Sequence, residues 1–217
     1  GADYVKFQMW RAKDLYNQSH PNWKEINKSE LQNDTAKKLK QHADKIGIDF
    51  FCSAFYPEAV DYLEDLHVKL YKVASITSAF KHKFALETLE RIALTKKPVI
   101  ISIGFGENKD KLKKILKNNK LYFLYCIPRY PTHIGSLNFN KMMKYDGFSD
   151  HTEGSLAPIL FASISKNSNK LLFLEKHISI TESKGPDKPF SMDMESFQKM
   201  ISEIRKVNKI RNTLSVN

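Results

Sequence analysis

Short apolar runs alternate along this chain with segments whose apolar residues recur every three or four positions. The first pattern suits strands buried on both faces, and the second suits helices with one buried stripe. In order, the predicted strands are "DYVKFQ", "IDFFCSAF", "VKLYKVAS", "PVIISIG", "LYFLYCI", the lead into "GFSDHT", and "KLLFLEKH". The predicted helices are "SELQNDTAKKLKQHADKIG", "PEAVDYLEDL", "KFALETLERIALT", "NKDKLKKILKNN", "SLAPILFASIS" and "MESFQKMISEIRKVN". Local signals mark some of the boundaries. Ser29 with Gln32 has the form of a capping box opening the first helix, whose apolar stripe is Leu31, Ala36, Leu39, Ala43 and Ile46. Gly47 suits the C-terminal cap of that helix, and Pro57 opens the next.

Strands joined by crossover helices make a parallel sheet, closed as a barrel or open. The polar residues at the C-terminal ends of the strands choose between the two. Lys6 and Gln8, Ser53, Lys72 and Ser75, Tyr130, Ser149 to Thr152, and Glu175 with His177 all stand at such ends. In a barrel these ends converge on one face, whereas an open sheet gathers them only at a switch point. The expected fold is therefore α/β, a (β/α)8 TIM barrel forming one domain over residues 1–217, with seven of its strand-helix units visible.

The densest polar group follows the sixth strand, in "YDGFSDHTEGS". Ser, Asp and Thr between a strand and a helix are common turn and cap residues. His151 with His177, one strand later, points further. Two histidines from adjacent strand ends suit a shared divalent cation, with Glu175 or Asp187 as an oxygen ligand or as the group that orients the ligands. His20, His42, His67, His82 and His133 read as surface or loop residues. Lys6 and Lys72 interrupt otherwise apolar strands, where an ammonium needs an anion. That anion is either a carboxylate of the protein or a bound phosphate, for which Ser53, Ser75 and Ser149 supply neutral donors.

Charge and composition then narrow the setting. The formal charge is +11, but the lysines are spread along helical segments such as "KDKLKKILKNNK" with no basic block interleaved with aromatics, which argues against nucleic acid. No run reaches the ~18 apolar residues of a membrane helix. Cys52 and Cys126 each lie in a strand-like run without metal or disulfide spacing, which fits a reducing cytoplasm.

The segments "GADYVKFQ", "FFCSAF", "YKVAS", "KKPVIISIGFG", "LYCIPRYPT", "GFSDHTEGS", "LEKH" and "KGPDKPFSMD" occur in an order and spacing that resembles the N-acetylneuraminate (sialic acid) synthase family, from Gly1 to about Ile204. The resemblance implies a (β/α)8 barrel whose first strand is missing here, followed in the family by a small antifreeze-like domain. It implies a cytoplasmic transferase, possessing a homodimeric arrangement, that condenses phosphoenolpyruvate with an N-acylated amino-hexose, such as N-acetylmannosamine or a related deoxy sugar. The cofactor implied is a divalent metal, Mn2+ first, with Mg2+ or Co2+ as alternatives. By position, His151 and His177 match metal ligands. Lys6, Lys72, Ser53, Ser75 and Ser149 match phosphoenolpyruvate-binding residues. Gln8, Tyr130 and Asp187 match sugar-side contacts, and Glu175 matches an acid beside the metal. Lys6, Lys72, Glu175 and Asp187 are the expected catalytic group. In the implied chemistry the enol carbon attacks the open-chain aldehyde, water adds to the oxocarbenium-like centre, and the tetrahedral intermediate expels phosphate.

The chain departs from the family pattern in places. Pro128 stands where a polar phosphate contact is usual, and Thr77 where an acid is common. The segment after "KFQ" is shorter than in the sialic acid synthases. Two alternatives follow: a related synthase that uses a phosphorylated aldose, and a non-catalytic or truncated remnant of the barrel that keeps only ligand binding.

Overall fold

The computed structural model describes residues 1–165, 172–183 and 187–214. The chain divides into two compact units, residues 2–122 and residues 123–217 together with Gly1. In chain order the first unit carries β1 (Tyr4–Met9), α1 (Ala12–Leu15), α2 (Trp23–Lys28), α3 (Asn33–Ile46) and β2 (Asp49–Ala54). It continues with α4 (Pro57–Asp65), β3 (Tyr71–Val73), α5 (Ser75–Ser78), α6 (Ala85–Thr95), β4 (Val99–Ile103), α7 (Lys109–Ile115) and the start of β5 (Leu121–Cys126). The second unit completes β5 and adds α8 (Phe139–Met142), β6 (Gly147–Asp150), α9 (Leu156–Ile164), β7 (Phe173–Lys176) and α10 (Met194–Leu214).

All seven strands expected from the apolar runs are present, parallel and in sequence order within each unit: β1 to β4 in the first, β5 to β7 in the second. The expected start of the last strand at Lys170 and Leu171, and Lys184 to Pro186 of "KGPDKPFSMD", lie outside the described residues. The strands are apolar because both faces are covered. Every residue of β4 is buried, and Tyr71, Val73, Leu63, Leu89 and Ile92 share the core of the first unit. Leu124, Phe148, Met142 and Phe161 form that of the second. Each such side chain contributes about 1.5–3 kcal/mol on burial. Among the described residues no helix is long and apolar enough to cross a membrane.

The expected start of α3 is corrected. Ser29 instead closes α2: its N–H bonds to the carbonyls of Glu25 and Ile26, and its hydroxyl donates to Ile26. A residue already ending one helix is not placed to cap the next, so α3 begins at Asn33 with Gln32 at its N-cap and no side-chain cap. Ala36 and Ala43 are buried as expected, while Ile46 is exposed. Gly47 ends the helix in the left-handed region at φ 75°, where a side chain would be strained. The short helices α1, α2, α5 and α8 are additional to the sequence reading.

One glycine sets the spacing of the strands that carry the histidines. A Cβ on Gly147 would lie 2.1 Å from the carbonyl oxygen of Phe173 and 2.7 Å from the Leu124 side chain. Only glycine lets the three strands of the second unit approach this closely.

Candidate active site

Successive side chains of a strand point to opposite faces, and this sorts the polar run after β6. Cys126, Ser149 and Glu175 are register partners across β5, β6 and β7, so they share one face; Asp150 and Lys176 are partners on the other. On the first face Ser149 donates its hydroxyl to Glu175 at 2.7 Å, and one pleat further along this face come His151 and His177. On the second face the Lys176 ammonium lies 2.7 Å from Asp150 Oδ2, with the two side chains 1% and 0% exposed. Lys176 also donates to the carbonyl of Thr152. The Thr152 hydroxyl is buried without a hydrogen-bond partner.

The imidazole rings of His151 and His177 lie with centroids 5.5 Å apart. His151 Nδ1 is 2.9 Å from the carbonyl oxygen of Ile127. A carbonyl only accepts, so this nitrogen carries the proton and Nε2 the lone pair. On His177 the nitrogen turned toward a carboxylate is also Nδ1, 3.3 Å from Asp187 Oδ2. Both backbones are pinned as well: the N–H of Thr132 bonds to the His151 carbonyl at 2.8 Å, and that of Met192 to the His177 carbonyl at 2.9 Å. Imidazoles that donate Nδ1–H to an oxygen and present Nε2 have the arrangement of metal-binding histidines. The pair offers two nitrogen donors of the kind a divalent ion takes. Asp187 stands behind His177, and Glu175 is engaged by Ser149. Among the described residues no third His, Cys, Asp or Glu joins the histidines in a cluster able to hold a metal. Tyr130, from the loop after β5, stacks on His151 at 4.1 Å and on Phe190 at 4.8 Å, placing an aromatic wall beside both rings.

In the first unit the register pairs Gln8 with Ser53 and Ser53 with Lys72, so the three share one face, with Lys6 one pleat before Gln8. Lys72 is 3% exposed and donates to Ser102 Oγ at 2.8 Å and to the Val73 carbonyl at 3.1 Å. The Ser53 hydroxyl is buried beside it with no hydrogen-bond partner among the described residues. A buried cation with an unsatisfied hydroxyl next to it has the chemistry of an anion site. Ser75 is buried at the start of α5, and its carbonyl accepts from Ser78. Glu107 accepts the N–H groups of Gly104 and Phe105, both at 2.9 Å, and fixes the loop after β4.

Cys52 and Cys126 are both buried free thiols, and burial pushes the Cys52 thiol up to about 12. Thr77 is fully buried, its hydroxyl 2.9 Å from His82 Nε2. His82, expected as a surface or loop residue, lies in the turn between α5 and α6, half-buried against Phe55. Burial holds its pKa below the usual imidazole value.

A model of the NeuB family matches residues 1–215 of the chain. The chain belongs to the NeuB family. An uncharacterised protein of Methanocaldococcus jannaschii is 32% identical over 223 residues, covering 97% of this chain and 63% of the relative. The pseudaminic acid synthase of Helicobacter pylori is 30% identical over 232 residues, covering 94% of this chain and 65% of the relative. The NeuB-family chain thus spans slightly less than two thirds of the length of these relatives. A crystal structure of the N-acetylneuraminic acid (sialic acid) synthetase of Leptospira borgpetersenii shares its fold, with a TM-score of 0.82 at 23% identity over 96% of this chain and 74% of that one.

Two residues of the NeuB-family chain, Ser102 and Lys176, enter the site description only with the structure. Ser102 is a polar residue inside an apolar strand, the signal that singled out Lys72, and the same test finds it. Asp150 stands in the polar run read from the sequence, but its meeting with Lys176 depends on the β6–β7 register.

Proposed function

We propose that this chain is the barrel of a nonulosonic acid synthase. It condenses phosphoenolpyruvate with an N-acylated amino-hexose, N-acetylmannosamine or a related deoxy sugar, and releases phosphate in a divalent-metal-dependent reaction, with Mn2+ the first choice. The reading places its seven strand-helix units in an eight-unit (β/α)8 barrel domain. The observation that carries it is the histidine pair: Nδ1 of His151 is hydrogen-bonded to the Ile127 carbonyl, Nδ1 of His177 lies 3.3 Å from Asp187 Oδ2, and both rings lie on the face that holds Glu175.

His151 and His177 would hold the ion through Nε2. Bound there, it supplies Lewis acidity toward a carbonyl oxygen. Tyr130 covers one side of the His151 ring and limits access of water to it. Asp187, 3.3 Å from His177 Nδ1, orients that ring. Lys72, buried beside Ser53 and Ser102, binds phosphate or carboxylate oxygens with little reorganisation, and Lys6 and Gln8 extend that face. These residues act chiefly by positioning and by electrostatic stabilisation.

The test is phosphate release from phosphoenolpyruvate with Mn2+ and a panel of non-phosphorylated N-acyl hexoses. Release that needs both metal and an amino sugar supports the proposal and names the substrate. A requirement for a phosphorylated aldose, or ligand binding without turnover, overturns it.

A further inference from the structure

We propose that the buried Asp150–Lys176 pair is a positioning device that holds His151 and His177 in register for one metal ion; this rests on the reading of the two histidines as ligands. The pair lies on the face of β6 and β7 opposite to the histidines, so it acts through the backbone. Three contacts close a loop around His151. Lys176 Nζ donates to Asp150 Oδ2 at 2.7 Å, Lys176 Nζ donates to the Thr152 carbonyl, and the Thr152 N–H donates to Asp150 Oδ1 at 2.9 Å. Asp150 and Thr152 are the residues on either side of His151, and Lys176 is the residue before His177. One ammonium therefore ties both flanks of the first ring to the residue adjoining the second.

A buried ion pair is weak evidence of a role in stability. Apolar residues of similar size serve a buried position as well or better, because two charges must be desolvated. Each carboxylate oxygen instead has a directed partner, and each partner fixes a backbone point beside a histidine. That pattern specifies geometry. Ring placement at a metal site is sensitive to such support, with losses of about 10–100-fold in affinity when it is removed.

The experiment titrates the protein with Co2+, reading affinity by calorimetry and ligand geometry by the visible absorption of the bound ion, alongside thermal melts. His151→Ala and His177→Ala serve as controls. The double substitution Asp150→Leu with Lys176→Met removes both charges at once and leaves no lone buried ion. It is expected to melt near the parent temperature, to bind Co2+ at least about tenfold more weakly, and to show an altered Co2+ spectrum. Asp150→Asn, which keeps shape and one acceptor, is expected to give a smaller loss and decides the matter should the double variant fail to fold. A folded variant with parental affinity and spectrum overturns the inference, provided the histidine controls are defective. Undiminished Co2+ binding in those controls overturns the metal-site reading itself.

Discussion

Ser149 and Glu175 meet across the β6–β7 register through a 2.7 Å hydrogen bond on the face that bears both histidines. Removing the hydroxyl takes a donor from a carboxylate. Ser149→Ala is expected to lower the free energy of unfolding by about 1.5–3 kcal/mol, the range for a hydrogen bond to a charged group, as measured by urea denaturation. A variant as stable as the parent would mean that other contacts carry the Glu175 charge.

Gly147→Ala sets a new methyl group against the Phe173 carbonyl at 2.1 Å, and backbone does not yield as a flexible side chain does. Overpacking of this kind costs about 1–3 kcal/mol or more. We expect the upper end of that range, together with weakened divalent-metal binding, since the strands that must separate are those bearing the histidines. Melting temperature and Mn2+ titration both check it.

Ser53→Ala separates fold from function. The Ser53 hydroxyl is buried without a partner among the described residues, so its loss is expected to leave stability unchanged or to raise it by about 1 kcal/mol. If the lysine face binds phosphoenolpyruvate, the same variant binds it roughly tenfold more weakly or worse, as calorimetry would show. Lower stability with intact binding would contradict both parts.

His82 gives a pH dependence. Burial lowers its folded-state pKa from the ordinary imidazole value, against smaller opposing effects of Asp14 and Glu87. Above the unfolded value both states are neutral, and the stability is fully present. As pH falls below it, the unfolded chain takes up a proton that the folded chain resists, so stability declines toward the folded-state pKa. The urea midpoint should therefore drop between about pH 7.5 and 5.5, and drop less in His82→Gln. Equal slopes for the two proteins would remove His82 as the cause.

The seven strands and the longer helices were legible because continuous apolar runs and a repeat near 3.6 persist over enough residues to be read. The helices α1, α5 and α8 have four residues each, too few for any repeat to show. At the site, Lys72 and the histidine pair were legible as polar residues in or beside apolar strands. The division of Ser149 to Thr152 between two faces follows from the pleat, but their partners follow from which strand lies alongside and at what offset. Asp150–Lys176 is local in neither chain nor pattern. The half-burial of His82 was not legible for a related reason: a lone histidine among lysines in "FKHKF" has no sequence mark of what the turn folds it against.

The alternation along β6 also bears on how this segment can vary. Asp150 and His151 are adjacent in the chain yet serve opposite faces, so exchange of either side chain leaves the other residues of the strand on the faces they already hold. A change of length does not. One residue inserted between Gly147 and Asp150 would turn the carboxylate toward the histidine face and the imidazole toward the helices, whereas two would restore the phase at the cost of a shifted register. Substitution is the open route by which this strand can diversify, and insertion or deletion is closed to it.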